Sequence, residues 1–231
     1  MSLKTGRTHL KFKFVNAKAY YACTKQFRML ANYLIYLVFS MSNVFRNPKS
    51  VIIICAAAFF FVIPHTYAGD VHIIKIHSAI QPPVAGYISE SITKAEQKKA
   101  EALVIMLDTP GGLDSSMRDI VKSIMESEVP VIVYVHPSGA RAASAGSIIL
   151  LAAHVAAMTP GTNVGAAHPV SIGKDKADKE MMEKVVKDAE AYVRSIAAKR
   201  DRNIEWAAKA VLESASIPAK DALEKNVIDV M

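Results

Sequence analysis

Between Ala102 and Leu107 the chain reads ALVIML, six apolar residues with no polar side. A run this short makes less than two helical turns. As a strand it calls for cover on both faces, the situation inside a parallel sheet. The flanking sequence fits. Val71 to Ile76 reads as a strand, Ile88 to Ala100 as a polar-faced helix, and Pro130 to Val135 (PVIVYV) as a second buried strand. Asp114 to Glu126 carries Met117, Ile120, Val121, Ile124 and Met125 on one helical side, with Asp114 placed to cap it. Successive strand-to-helix passages predict an α/β domain with a mainly parallel sheet flanked by helices. Its functional loops should gather at the strand C-termini. Further on, the pattern predicts a small-residue helix near 142–153, a strand at 155–158, helices near 178–200, 204–213 and 218–225, and a last strand over 227–231. Gly173 to Lys179 reads as a solvated loop.

Charge narrows the partners. The 231 residues carry a formal net charge of +7, but residues 1–50 hold nine Lys/Arg and no acidic residue. The remainder has nineteen basic against twenty-one acidic side chains, so the body exerts no net pull on a phosphate backbone. Nucleic-acid binding is not expected. Val51 to Ile63 (VIIICAAAFFFVI) is uncharged, follows Arg46 and Lys49, and precedes the small residues Ala68-Gly69. That order is the pattern of a signal peptide, which divides the chain into a leader over 1–68, with cleavage after Ala68, and a domain over 69–231. A start at Met41 would supply MSNVFRNPKS as a short basic leader in place of the longer extension. The expected location is the extracytoplasmic face of the membrane or the periplasm. Cys23 and Cys55 both precede the cut, so the domain would have neither disulfides nor a cysteine nucleophile.

Two loops follow two strands. Strand 102–107 empties into Asp108-Thr109-Pro110-Gly111-Gly112, where adjacent glycines leave backbone N–H groups open to an oxyanion or simply make a tight turn. Strand 130–135 empties into a run of small residues, Gly139-Ala140-Arg141-Ala142-Ala143-Ser144-Ala145-Gly146. There a helix can begin against the sheet with the Ser144 hydroxyl on its first turn and the Ala145 amide beside it. Together the loops supply a nucleophile and two donors at one sheet edge.

LDTPGG (107–112), GARAASAG (139–146), AAMTPGTNVGAAHP (156–169) and ALEKNVIDV (222–230) resemble the membrane-bound ClpP-class serine proteases of the NfeD (nodulation efficiency protein D) type, often paired with stomatin-like proteins. The resemblance covers Val71 to Met231, with the motifs in the family's order. It implies the ClpP/crotonase α/β spiral, Ser144 as nucleophile, and Gly112 and Ala145 N–H groups as the oxyanion hole. It further implies a peptide or protein substrate with an apolar segment and a stomatin-like membrane partner, needs no cofactor, and leaves a homo-oligomer open; no His/Asp/Glu spacing resembles a metal-ligand set, so no metal is expected.

Ser144 needs a base to receive its proton. The family resembles Ser-Lys dyad enzymes, and the matching lysine is Lys184 in Met181-Met182-Glu183-Lys184-Val185-Val186. Helical projection puts Lys184 on the flank of an apolar face made by Met181, Val185, Ala189, Tyr192 and Ile196, with Lys187 opposite; a snorkelling surface lysine is the competing reading. The alternative base is His168, at a spacing after Ser144 that resembles the histidine of soluble ClpP peptidases. Asp175, Asp178 and Asp188 are available to it by composition alone. His136 and His154 read as strand-end residues, and Arg141 as either a substrate contact or a helix-end cap. Two other functions stay open: a crotonase-type enzyme binding a thioester at the same hole, and a scaffold in membrane-protein assembly that keeps the pocket without turnover. Relatives of this type commonly continue into membrane-spanning helices and a small β domain.

Overall fold

A computed structural model describes residues 69–170 and 179–231, together with Asn32. The leader, its cut site and the loop at 173–178 lie outside the described residues. The chain divides into units over 1–67 and 68–231, and the second holds both of the sheets described.

Strands β1 (Val71–His77), β2 (Ala102–Asp108), β3 (Val131–Val135) and β5 (Val155–Met158) form one sheet in the order β1-β2-β3-β5, parallel throughout. A second sheet joins three-residue strands, β4 (Arg141–Ala143) parallel to β6 (Asn163–Gly165), and β6 antiparallel to β7 (Ser216–Pro218). The helices are α1 (Pro82–Gln97), α2 (Asp114–Glu126), α3 (Ala145–Ala152), α4 (Lys179–Lys199), α5 (Ile204–Leu212) and α6 (Ala219–Glu224).

The predicted cover on both faces of the first sheet is found on one. Leu103, Ile105 and Leu107 of β2 are buried with Val131, Val133 and Val135 of β3, whereas Val104, Met106 and Ile132 are only half-buried. The buried face packs against Ile88 and Ile92 of α1, Ile120 and Ile124 of α2, and Ile149 of α3 within one core. Burying each such side chain contributes about 1.5–3 kcal/mol.

Several boundaries differ from the sequence reading. Helix α1 begins at Pro82, six residues early, because prolines suit the first turn, where N–H groups have no helical partner. Asp114 is not the cap of α2: Leu113 holds that position without a side-chain bond, and Asp114 stands inside the first turn, paired with Arg118. The stretch 142–153 is divided between β4 and α3. No strand forms over 227–231; only Val230 bridges to Ala157.

The C-terminal end of α3 is closed by two arginines. Arg202 Nη1 donates to the carbonyls of Leu151 (2.5 Å) and Ala153 (2.9 Å), and Arg200 Nε donates to that of Ala152 (2.7 Å). These are carbonyls left without helical donors, so the guanidinium groups both bond them and oppose the helix dipole. Arg202 is itself paired with Asp229 at 2.5 Å. His154 follows directly, and its Nδ1 accepts the Val131 N–H at 3.2 Å. Burial, followed by the charges of Arg200 and Arg202, pushes the imidazole down from 6.5 to about 4. The unfolded chain therefore binds this proton more readily. The stabilisation is complete above about pH 6.5 and is lost as pH falls through about 4. With solvent screening at a half-exposed site, urea unfolding should show a loss of about 1–2 kcal/mol from this group between pH 7 and pH 4.5. His154→Asn should flatten that part of the profile, and a profile unchanged by the substitution would remove His154 as its origin.

Candidate active site

Strand β4 carries the chain to Ser144, which turns at φ 51°, ψ −116° before α3 begins. A positive φ is unfavourable for a residue with a Cβ and persists where neighbours hold it. The Ser144 N–H donates to the Gly165 carbonyl at 2.9 Å. Its own carbonyl accepts both the N–H of Ser147 (3.0 Å) and the Ser147 hydroxyl (2.7 Å). Ala145 is then the first helical residue, so its N–H has no acceptor within the helix and stands at the positive end of the dipole. All eight residues of α3 are buried, which gives the turn a fixed base.

A second loop, the one after β2, approaches this turn. Ile80 bridges Gly112 by donating to the Gly111 carbonyl (2.8 Å) and accepting from the Leu113 N–H (2.9 Å). In a parallel bridge of this kind the central residue's own N–H points the other way. The Gly112 N–H is thus turned away from Ile80, and Gly112 lines a cleft together with Ser144 and Ala145. The two loops touch: a Cβ on Gly111, at φ 115°, would fall 2.7 Å from Ser144 Cβ.

The cleft has a volume of about 440 Å³. Leu113, Met117, Ile148, Val170 and Val185 give it apolar walls, and Asp114, Arg118 and Asp188 a charged side. Arg118 donates to Asp114 (2.8 Å) and Asp188 (2.5 Å), and lies 4.3 Å from the centre of the Tyr192 ring. It thereby ties α2 to α4 beside the cleft. Sequence reasoning missed this pair: the Asp114–Arg118 spacing of four is a signal, but Asp188 lies seventy residues on.

Ser144, Gly112, Ala145 and His168 meet around one cleft. His168 Nδ1 is 2.8 Å from the Val211 carbonyl. A carbonyl only accepts, so Nδ1 carries a proton, and in the neutral ring Nε2 is the acceptor. A carbonyl thus occupies the place where a triad would put a carboxylate. Lys184 does not line the cleft. Its side chain is 69% exposed and bonds Glu180 at 2.8 Å, one turn back on the helix. The apolar face predicted for α4 is also displaced: Ala189, Val193, Ile196 and Ala197 are buried, while Met181 and Val185 remain exposed. Val185, next to Lys184, does reach the cleft wall. Arg141 is exposed, and its backbone N–H donates to Asp108 at 3.1 Å.

A parallel α/β core that presents a serine at a strained strand-to-helix turn, against a glycine-bearing loop, has the ClpP-like fold. The chain belongs to the family of the NfeD1b N-terminal domain, whose model matches residues 70–230. It is 37% identical over 173 residues to the membrane-bound protease PH1510 of Pyrococcus horikoshii, an alignment covering 74% of this chain and 39% of that protein. It is also 36% identical over 110 residues to the membrane protein NfeD1b of Bacillus subtilis, covering 48% and 24%. The chain therefore spans well under half the length of these relatives.

Among solved structures it resembles a serine-to-alanine mutant of the 1510-N membrane-bound stomatin-specific protease, with TM-score 0.66, 38% identity, and 70% of this chain and 79% of that one covered. A lysine-to-alanine mutant of the same protease, in complex with a substrate peptide, gives TM-score 0.65 and 36% identity over 71% and 75%.

Proposed function

We propose that the chain is a serine endopeptidase of the cell envelope that cuts apolar segments of membrane-associated proteins. The observation that carries this reading is the Ser144 turn, with Ala145 and Gly112 at the same cleft. Ser144 Oγ attacks the peptide carbonyl carbon, and the oxygen, now negative, takes the Gly112 and Ala145 N–H groups. Collapse expels the amine and leaves an ester on Ser144, which water then hydrolyses.

Lys184 is the base in this proposal, taking the Oγ proton and passing it to the departing amine. In the described arrangement the amine rests on Glu180, so catalysis requires it to leave that carboxylate and turn around the helix toward Ser144. Support comes from the relative in which a serine and a lysine were mutated: their numbering places them forty-one positions apart, against forty from Ser144 to Lys184 and forty-three to Lys187. His168 is the second reading, favoured by its place on the cleft and its open Nε2.

The apolar cleft walls favour apolar side chains flanking the cut, and a stomatin-like membrane protein is the partner we infer from the stomatin-specific relative. The leader would deliver the domain over 69–231 to the extracytoplasmic side. Mass mapping of peptides incubated with the chain tests the reading. Peptides with an apolar core should be cut with kcat/KM at least about tenfold above length-matched hydrophilic ones, the discrimination that one or two buried apolar groups supply. No cleavage of either set would leave a scaffold as the function.

A further inference from the structure

Gly112 and Ala145 are thirty-three residues apart, and both must keep their N–H groups aimed at one point. Thr109 touches the supports of both. It is fully buried, at the end of β2. Its hydroxyl lies 3.1 Å from the Gly111 N–H and 3.2 Å from the Gly111 carbonyl, accepting from the first and donating to the second. That is the peptide segment from which Gly112 projects its own N–H. Its backbone binds the strand that delivers Ser144: the Thr109 N–H donates to Arg141 (2.8 Å), and its carbonyl accepts from Ala143 (3.1 Å). Its methyl faces the nucleophile helix at Gly146, where an added Cβ would fall 2.4 Å from Thr109 Cγ2. Glycine at 146 lets the threonine reach between the two loops.

We propose that Thr109 is the positioning residue of the oxyanion hole, its hydroxyl setting the aim of the Gly112 donor while its backbone holds the strand that leads to Ser144. The inference rests on the serine-hydrolase reading. Thr109 touches no reacting atom. Its effect must therefore fall on the transition state, where the oxyanion forms, and spare the binding of the uncharged substrate.

The test compares Thr109→Val, which keeps the methyl and loses the hydroxyl, with Thr109→Ser, which does the reverse, both in the full chain. An apolar peptide cut by the wild type is the substrate. Its affinity is measured separately with each change placed on the Ser144→Ala background. For Thr109→Val, kcat should fall by about 10–100-fold, somewhat less than the loss of a whole oxyanion donor. KM and peptide affinity should stay within about threefold. Thr109→Ser should retain kcat within about fivefold, since the hydroxyl still holds Gly111. Should Thr109→Val not fold, Thr109→Cys takes its place, read against Thr109→Ser, since these two share the loss of the methyl and differ only in a weakly bonding sulfur for the hydroxyl.

Unchanged kcat in Thr109→Val overturns the inference. So does a loss shared equally by KM and peptide affinity, or a serine variant as slow as the valine one at equal melting temperature. If wild-type turnover is itself independent of Ser144, the serine-hydrolase reading fails and this inference with it. Turnover that needs Ser144 but ignores Thr109 removes this inference alone.

Discussion

Ser144→Ala should lower kcat for peptide cleavage by at least about 10³-fold, the scale of loss when a nucleophile is removed and only the oxyanion donors remain. The variant should still bind substrate, because the apolar walls of the cleft do not include the hydroxyl. It should also fold normally. Alanine retains the Cβ that makes φ 51° unfavourable, and the bonds that hold the turn run through backbone: the residue's N–H to Gly165, and its carbonyl to Ser147. Ser144→Gly separates strain from chemistry. Glycine adopts positive φ without the Cβ clash, so this variant should be equally inactive yet more stable by about 1 kcal/mol. Rates per folded molecule, read beside thermal melts of all three proteins, check both halves. An alanine variant that cuts at the wild-type rate would return the site to the crotonase-type reading.

The strained turn was not legible in the sequence, although a helix starting at the Ser144 loop was. Positive φ is signalled by glycine, and a serine at that position sends no such signal. The strands that hold it, β4, β6 and β7, have three residues each, too few for alternation to be read. They form because Thr109, Gly165 and Ala215 supply bonding partners from distant parts of the chain. By contrast β2, β3 and α2 were readable, since their apolar patterns extend over five to thirteen residues. The half-covered second face of the sheet was not. An apolar strand sequence reports its own hydrophobicity, while the number of helices laid over each face is a property of the whole topology. Helix α4 failed similarly: projection found an apolar side, but Ala189 is its first buried residue, and in the turn before it Val186 packs against the core while Met181 and Val185 stay exposed.

That same stretch carries Lys184, and the base can be identified by substitutions that differ in chemistry rather than in size. Lys184→Ala should reduce kcat by about 10²–10⁴-fold, the usual contribution of a positioned general base. Lys184→Arg should be equally impaired, because a guanidinium stays protonated and cannot accept the Oγ proton. A lysine that merely attracted a substrate carboxylate would tolerate arginine. Lys187→Ala, on an exposed side chain 3.6 Å from Glu190, should leave kcat within about threefold, in line with the small contribution of surface pairs. His168→Gln should also stay within about fivefold, since the imidazole has a carbonyl and no carboxylate at Nδ1 to stabilise the imidazolium that a triad base becomes. The reverse pattern, with His168→Gln inactive and Lys184→Ala unimpaired, would transfer the proton to His168 Nε2. Glu180 gives the remaining handle. Its exposed pair with Lys184 is worth about 0.3–0.5 kcal/mol, so releasing the amine costs little compared with the barrier it would lower. Glu180→Gln should therefore change kcat by no more than about threefold, and a larger fall would mean that the carboxylate acts in the chemistry instead of holding the resting lysine.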